Sequence, residues 1–510
     1  MSVSATSPRP ILAHGGPSSQ WQVCFILSIA GFLLVHLGLR LITSPSLYCD
    51  DSDLVLFNQA FAWGYSEQPP LYSWLFRLVS LPLGANVFSL TVFRTLLLAS
   101  MCFGVYRCSF ILWEDHRLAR LTTLSLMLLP TFAWHLLTYL THSLLMSVFC
   151  IYTFYFAVRV VQSNRLGDYV WLGVCAGLGM LSKYNFVIFL AALMLSGLTL
   201  SGVRKRILSF RMLLTIAISV LLVLPHVLWM WEHLLLLRAS YAQKTLTHSG
   251  DLFLGILPLG FRALIVNMIL LALALVVIFY LSFPTTLIRM DESERDRPYM
   301  KWVIRYFCVI ALLHMVYVLG TRSERLHERW LEPYYVLLPL ALFGRLVGLR
   351  IAAWRSWFFI GVVFSLAGAM IMARSCQIWL GGGHRGYNSI DYDFQPLVPV
   401  VKATSEKTRV LVTDHRGVGG NLCQQLPDLH CICLRRLDCR LPQAEKAQTF
   451  MVIWEAMPPC NLPTHLRTYV QDSLKVSVPE TLSPQFLEVP SHVPGREPHR
   501  FGYVIVHRQK

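Results

Sequence analysis

Three acids stand within four positions, Asp50, Asp51 and Asp53, in the stretch YCDDSDLVLFNQAFAWGYSEQPPLYSWL. A single carboxylate near a helix start is an ordinary N-terminal device worth ~1 kcal/mol. Three this close repel one another, and the crowding favours either a bound divalent cation or a general-base role. Asp50 and Asp51 are therefore the candidate catalytic acids, and the candidate ligands if a metal is used; Asp53 is auxiliary. The Pro-Pro turn that follows holds Glu67 and Gln68 beside Tyr72 and Trp74. Tyr and Trp favour the membrane interface, so Glu67 and Gln68 are placed to touch a lipid-linked ligand.

Two later stretches supply the opposite charge. Lys183 and Tyr184 lie in GLGMLSKYNF, and Arg322, Arg325, His327 and Arg329 lie in TRSERLHERWLEPYY. Each cation taken singly reads as a snorkelling anchor. Together, at headgroup depth, they suit an anionic lipid phosphate, which Arg grips through paired hydrogen bonds. Lys183, Tyr184, Arg325 and Arg329 are the substrate-binding candidates, and His327 is auxiliary. Carboxylates and phosphate-binding cations on one face point to transfer chemistry on a lipid phosphate.

The elements that must bring these stretches together are membrane spans. Of the 510 residues 55% are hydrophobic and only 14% charged, with long apolar runs between short charged clusters. That is how an integral membrane protein reads. The net charge of +16 comes with no basic face interleaved with aromatics, which excludes nucleic acid as a partner. Runs near 21–42, 87–112, 121–137, 143–161, 184–201, 212–231, 263–283, 302–320, 331–350 and 353–373 are long enough to cross the bilayer. The shorter 169–181 decides the parity. Only if it crosses do the basic clusters at 201–211, 289–301 and 345–355 fall on one side, as the positive-inside rule requires. Eleven spans result, with residues 1–20 cytoplasmic and the spanning domain over 21–375. The loops 43–86, 138–142, 182–185, 232–262 and 321–330 are then external, so the acids and the cations share a side.

Residues 376–510 are more polar, with β-type runs at 408–414, 430–436, 449–456 and 501–508, which predicts a small external α/β domain. It holds Cys376, Cys423, Cys431, Cys433, Cys439 and Cys460, six of the thirteen cysteines. They are open to up to three disulfides or to remaining as buried thiols. No CxxC pair with matching His spacing suggests zinc.

The stretch YCDDSDLVLFNQAFAWGYSEQPPLYSWLFRLV resembles the first external loop of polyprenyl-phosphate-dependent glycosyltransferases of the membrane-embedded class C fold. That group includes the protein mannosyltransferase-like family 39 and the lipid A aminoarabinose transferases. GLGMLSKYNFVIFL and HERWLEPYYVLLPL resemble its later Lys-containing and basic-aromatic segments, in the expected order, and the likeness spans residues 20–375. The resemblance implies an all-α polytopic bundle and a sugar donor carried on polyprenyl phosphate. It implies a lipid or glycan acceptor of the cell envelope (lipid A, lipopolysaccharide or another glycan) and action at the periplasmic face of a bacterial inner membrane, among membrane lipids. Asp50 takes the place of the carboxylate that activates the acceptor hydroxyl, and Asp51 that of the second acid. Two positions depart from the pattern. Gln68 stands where relatives often carry Lys or His, and TYLTHSLL lacks their Thr-x-Asp acid, leaving His142 open as a substitute ligand, a second base or an interfacial histidine. The rival functions are a flippase for lipid-linked sugars, disfavoured by the few polar residues in the spans, and a protein O-glycosyltransferase.

Overall fold

The computed structural model describes residues 19–65, 68–129, 132, 134, 141–234, 259–288, 298–321, 328–380, 388–403, 410–434, 447–456, 460–478 and 483–508. Among them, seven helices are long and apolar enough to cross a bilayer. They are α1 (Ser19–Thr43), α4 (Val87–Trp113), α6 (His142–Ser163), α9 (Met212–Glu232), α10 (Leu259–Ser282), α11 (Pro298–Thr321) and α12 (Ala353–Trp379). Two expected spans are shorter helices, α7 (Leu166–Ser182) and α8 (Phe186–Leu198). Two others are broken. The 121–137 segment starts early as α5 (His116–Leu124) and tightens into a 3-10 turn, Ser125–Leu128. The 331–350 segment alternates 3-10 and α turns, with Pro333 and Pro339 at the starts of two of them. Proline removes a backbone donor and resists the helix interior, so an apolar run of sufficient length does not become one continuous helix. The chain is multi-pass, but the described residues hold fewer uninterrupted crossings than the eleven expected.

The loop 43–86, expected to be external, is itself helical. It contains α2 (Cys49–Phe57) and α3 (Leu71–Leu83). Arg40, buried at the end of α1, turns the chain into α2 by donating to Ser44 O at 2.7 Å and Ser46 O at 2.9 Å. An apolar helix end surrounded by protein leaves carbonyls that need such a partner. Had the acids served as a capping pair, the helix would run from about Ser52 to Trp63; α2 instead begins at Cys49. Asp50 and Asp51 thus lie inside its first turn, and neither serves as its cap.

The tail folds into a five-stranded sheet ordered β2-β1-β3-β5-β4. Its strands are β1 (Val410–Thr413), β2 (His430–Cys433), β3 (Thr449–Glu455), β4 (Gln485–Val489) and β5 (His499–His507). β1 pairs parallel with β2 and β3, and β5 pairs antiparallel with β3 and β4. Four strands fall on the expected runs; β4 carries too mixed a pattern to be legible. The five tail cysteines within the described residues are free thiols.

One helix of the tail, α13 (Arg416–Gln425), lies between β1 and β2 in the chain and packs on α2. Ser44 and Ser46 donate to Ile390 O and Tyr392 O at 2.7 and 2.6 Å, and Leu47 N–H donates to Asn421 Oδ1 at 2.8 Å. Gln59 exchanges two hydrogen bonds with the backbone of Cys431, at 2.8 and 3.0 Å, and so covers the open edge of β2. The two helices touch at Gly420, where a Cβ would stand 2.4 Å from Ser52 Cβ. Gly420→Val should therefore cost ~1–3 kcal/mol by overpacking. Faster proteolysis of the tail in the full chain and a lower unfolding temperature would report it.

Candidate active site

Helix geometry sorts the three acids. Successive residues turn by about 100°, so Asp50 and Asp53 share a face while Asp51 points elsewhere. Asp51 points inward. It is 1% exposed and ion-paired with Arg94 of α4, itself 2% exposed. A buried pair of this kind adds little net stability, but removing one partner strands the other. Asp53 accepts from Arg416 Nη1 at 2.6 Å.

Asp50 is the most exposed of the three, with its side chain 31% exposed. Its Oδ1 lies 3.4 Å from Arg416 Nη1, and its Oδ2 lies 3.8 Å from Arg329 Nη1. From Arg329 the contacts continue. Ser143 Oγ donates to Arg329 O at 3.0 Å, and Lys183 Nζ donates to Ser143 Oγ at 2.6 Å. A half-exposed carboxylate and two cations from separate segments are joined in one continuous set.

The other expected residues are placed as follows. His142 contacts Ser182 O through Nδ1 at 3.2 Å and sets its ring 5.0 Å from that of Tyr72. His226 Nδ1 lies 2.8 Å from Trp63 O, so that nitrogen carries the proton. Its Nε2 is then the acceptor for the Tyr184 hydroxyl at 3.1 Å. Tyr184 thereby braces the 58–65 loop rather than presenting its hydroxyl beside Asp50. Gln68 is half-buried next to the Pro-Pro turn. Glu67, Arg325 and His327 lie outside the described residues.

Arginines surround the acids. Arg94 and Arg416 donate hydrogen bonds to the acids, and Arg329 lies at ion-pair distance from Asp50. No group of three His, Cys, Asp or Glu able to hold an ion occurs among the described residues. Asp50 and Asp51 also point apart, so the acid pair does not fit a metal site.

Sequence reasoning missed Arg94, Arg416 and Ser143. Arg94 had a signal: a charge inside an apolar span demands a partner, and Asp51 supplies it. Arg416 had none beyond its type, because its neighbour is set by how the tail docks. Burial works against the Arg416 cation, but Asp53, Cys49 and Asp50 more than offset it and hold it above the usual arginine range.

Comparison with known proteins gives the same frame. The family described as dolichyl-phosphate-mannose-protein mannosyltransferase matches residues 67–229. The crystal structure of ArnT from Cupriavidus metallidurans bound to undecaprenyl phosphate superposes with a TM-score of 0.56 at 12% identity, covering 95% of this chain and 98% of that one. The chain has the class C glycosyltransferase fold. Two relatives are similar to this transferase over most of their length, both from Rhizobium johnstonii. The lipopolysaccharide core galacturonosyltransferase RgtB is 26% identical across 96% of this chain and 99% of its own. The lipopolysaccharide core galacturonosyltransferase RgtA is 27% identical across 79% and 80%.

Two outcomes follow for this transferase. Arg94→Ala should destabilise it by ~3–5 kcal/mol, whereas Arg94→Met combined with Asp51→Leu should recover most of that loss, read by thermal unfolding in detergent. The second concerns His415, which caps α13. Burial lowers its pKa from 6.5 to about 4, with Glu455 and Asp414 pulling up and His499 and Arg416 pulling down. Above pH 6.5 its contribution is complete, because neither the folded nor the unfolded chain holds the proton. As pH falls from 6.5 towards about 4 only the unfolded chain gains it, so stability declines. The decline should reach ~1–3 kcal/mol, and amide exchange in 410–425 should record it. His415→Asn should flatten it.

Proposed function

We propose that this membrane glycosyltransferase moves a hexuronosyl group, of the galacturonic acid type, from a polyprenyl phosphate to a hydroxyl of the lipopolysaccharide core. Transfer takes place at the periplasmic face of the inner membrane. Residues 1–20 lie in the cytoplasm, the spanning domain covers 21–375, and 376–510 form the periplasmic domain. The observation that carries the reading is the placement of Asp50 on one continuous set of contacts with Arg329, Ser143 and Lys183.

Asp50 accepts the proton of the acceptor hydroxyl as that oxygen attacks the anomeric carbon. The bond from that carbon to the phosphate oxygen breaks, and the phosphate leaves with both bonding electrons. Its charge develops beside Arg329 and Lys183, where fixed cations stabilise the transition state. The phosphate needs no proton to depart, so the site requires one strong carboxylate base and no partner acid. Asp51, sealed on Arg94, anchors α2 and takes no proton. Gln68, with a neutral amide, adds a donor at the turn, and the charge for the phosphate comes from Lys183 and Arg329.

Asp50→Asn keeps the shape and removes the base. Transfer should fall by about 10²–10⁴-fold. Mass spectrometry of lipopolysaccharide should then show the core lighter by one hexuronate, matching cells without the protein. A core of unchanged mass in the Asn variant would refute the role given to Asp50.

A further inference from the structure

Arg416 is the first residue of α13, directly after the carboxyl end of β1. Its Nη1 spans Asp53 Oδ2 at 2.6 Å and Asp50 Oδ1 at 3.4 Å. Asp50 and Asp53 are one helical turn apart, so a single guanidinium can hold both carboxylates in a fixed relation. The other cation beside Asp50, Arg329, stands farther off at 3.8 Å.

The position of Arg416 is itself over-determined. Gly420 brings α13 against Ser52, and a Cβ on Gly419 would meet Cys431 Sγ at 2.7 Å. Asn421 accepts from Leu47 N–H at 2.8 Å, and His415 caps the helix start. The tail thus delivers one cation to α2 along a path with little freedom. Arg416 approaches Asp50 at Oδ1, whereas Arg329, which leads on to Ser143 and Lys183, approaches at Oδ2.

We propose that Arg416 is a positioning residue for the Asp50 carboxylate, and that the transferase works only while its carboxy-terminal sheet is docked on α2. This rests on the reading of Asp50 as the base. A carboxylate with a free rotamer spends most of its time misdirected, and a displacement near 1 Å can cost ~10²-fold in rate.

The test uses the full chain in lipid nanodiscs, with undecaprenyl-phosphate-linked galacturonic acid as donor and lipopolysaccharide from cells lacking the protein as acceptor. Arg416→Gln should lower kcat about 10²-fold while KM for both substrates stays within about threefold. Arg416→Lys should recover part of the loss, because an ammonium can still reach both acids. Gly420→Val, which keeps the Arg416 side chain but pushes α13, and Arg416 with it, from α2, should lower kcat in the same way. Should Arg416→Gln fail to fold, Asp53→Asn removes the other end of the bridge, and a several-fold drop in kcat is expected there. Wild-type kcat in Arg416→Gln or in Asp53→Asn, or a loss confined to KM, overturns the proposal. Asp50→Asn run in parallel separates the two ideas. If it abolishes transfer while Arg416→Gln does not, only the positioning role fails; if it transfers normally, the base assignment fails first.

Discussion

Everything at the candidate site depends on balancing three carboxylates that α2 crowds into one turn. Left alone they would repel, and the turn would open or take up a cation. The chain answers with three guanidiniums from three distant places: Arg94 from a spanning helix, Arg329 from the segment after α11, and Arg416 from the tail. The result is uneven by design of the geometry. Asp51 is sealed and Asp53 is bridged, which leaves Asp50 as the half-exposed acid. Selectivity among three chemically identical groups comes from helix phase and from which side each arginine approaches.

The same logic explains how much could be read from the letters. The long spans were legible because twenty apolar residues have few other places to go, and four of the tail's strands because apolar, β-type runs between turns are distinctive. Asp50, Lys183 and Arg329 were legible as a set because opposite charges on one face of a bilayer need a reason. Asp51 was not separable from Asp50, because the difference rests on α2 beginning at Cys49 and not at Ser52. The broken 331–350 segment has the composition of a span, and Pro333 and Pro339 start new turns within it. Arg416 and Ser143 were beyond reach: each matters through a neighbour that only tertiary packing selects.

The sheet domain is more than an appendage to the bundle. Gln59 fills the open edge of β2 with its amide, acting as a one-residue extra strand. Two serines and a backbone N–H of the 44–47 turn bind the tail directly. These are buried polar contacts, and such contacts carry specificity because a misfit leaves them unpaired. Together they tie the 44–59 loop to the tail at several separate points.

The pairing of Asp53 with Arg416 joins residues 363 positions apart. Chains are synthesised at ~5–20 residues per second, so the acids emerge on the order of 20–70 s before the arginine that completes them. By the end of that interval a nascent polypeptide carries the spans and the carboxylates without their last counter-charge. Premature termination anywhere before residue 416 would leave a protein able to insert in a membrane yet lacking that cation. The Asp53–Arg416 bridge therefore closes only after the final segment has been made.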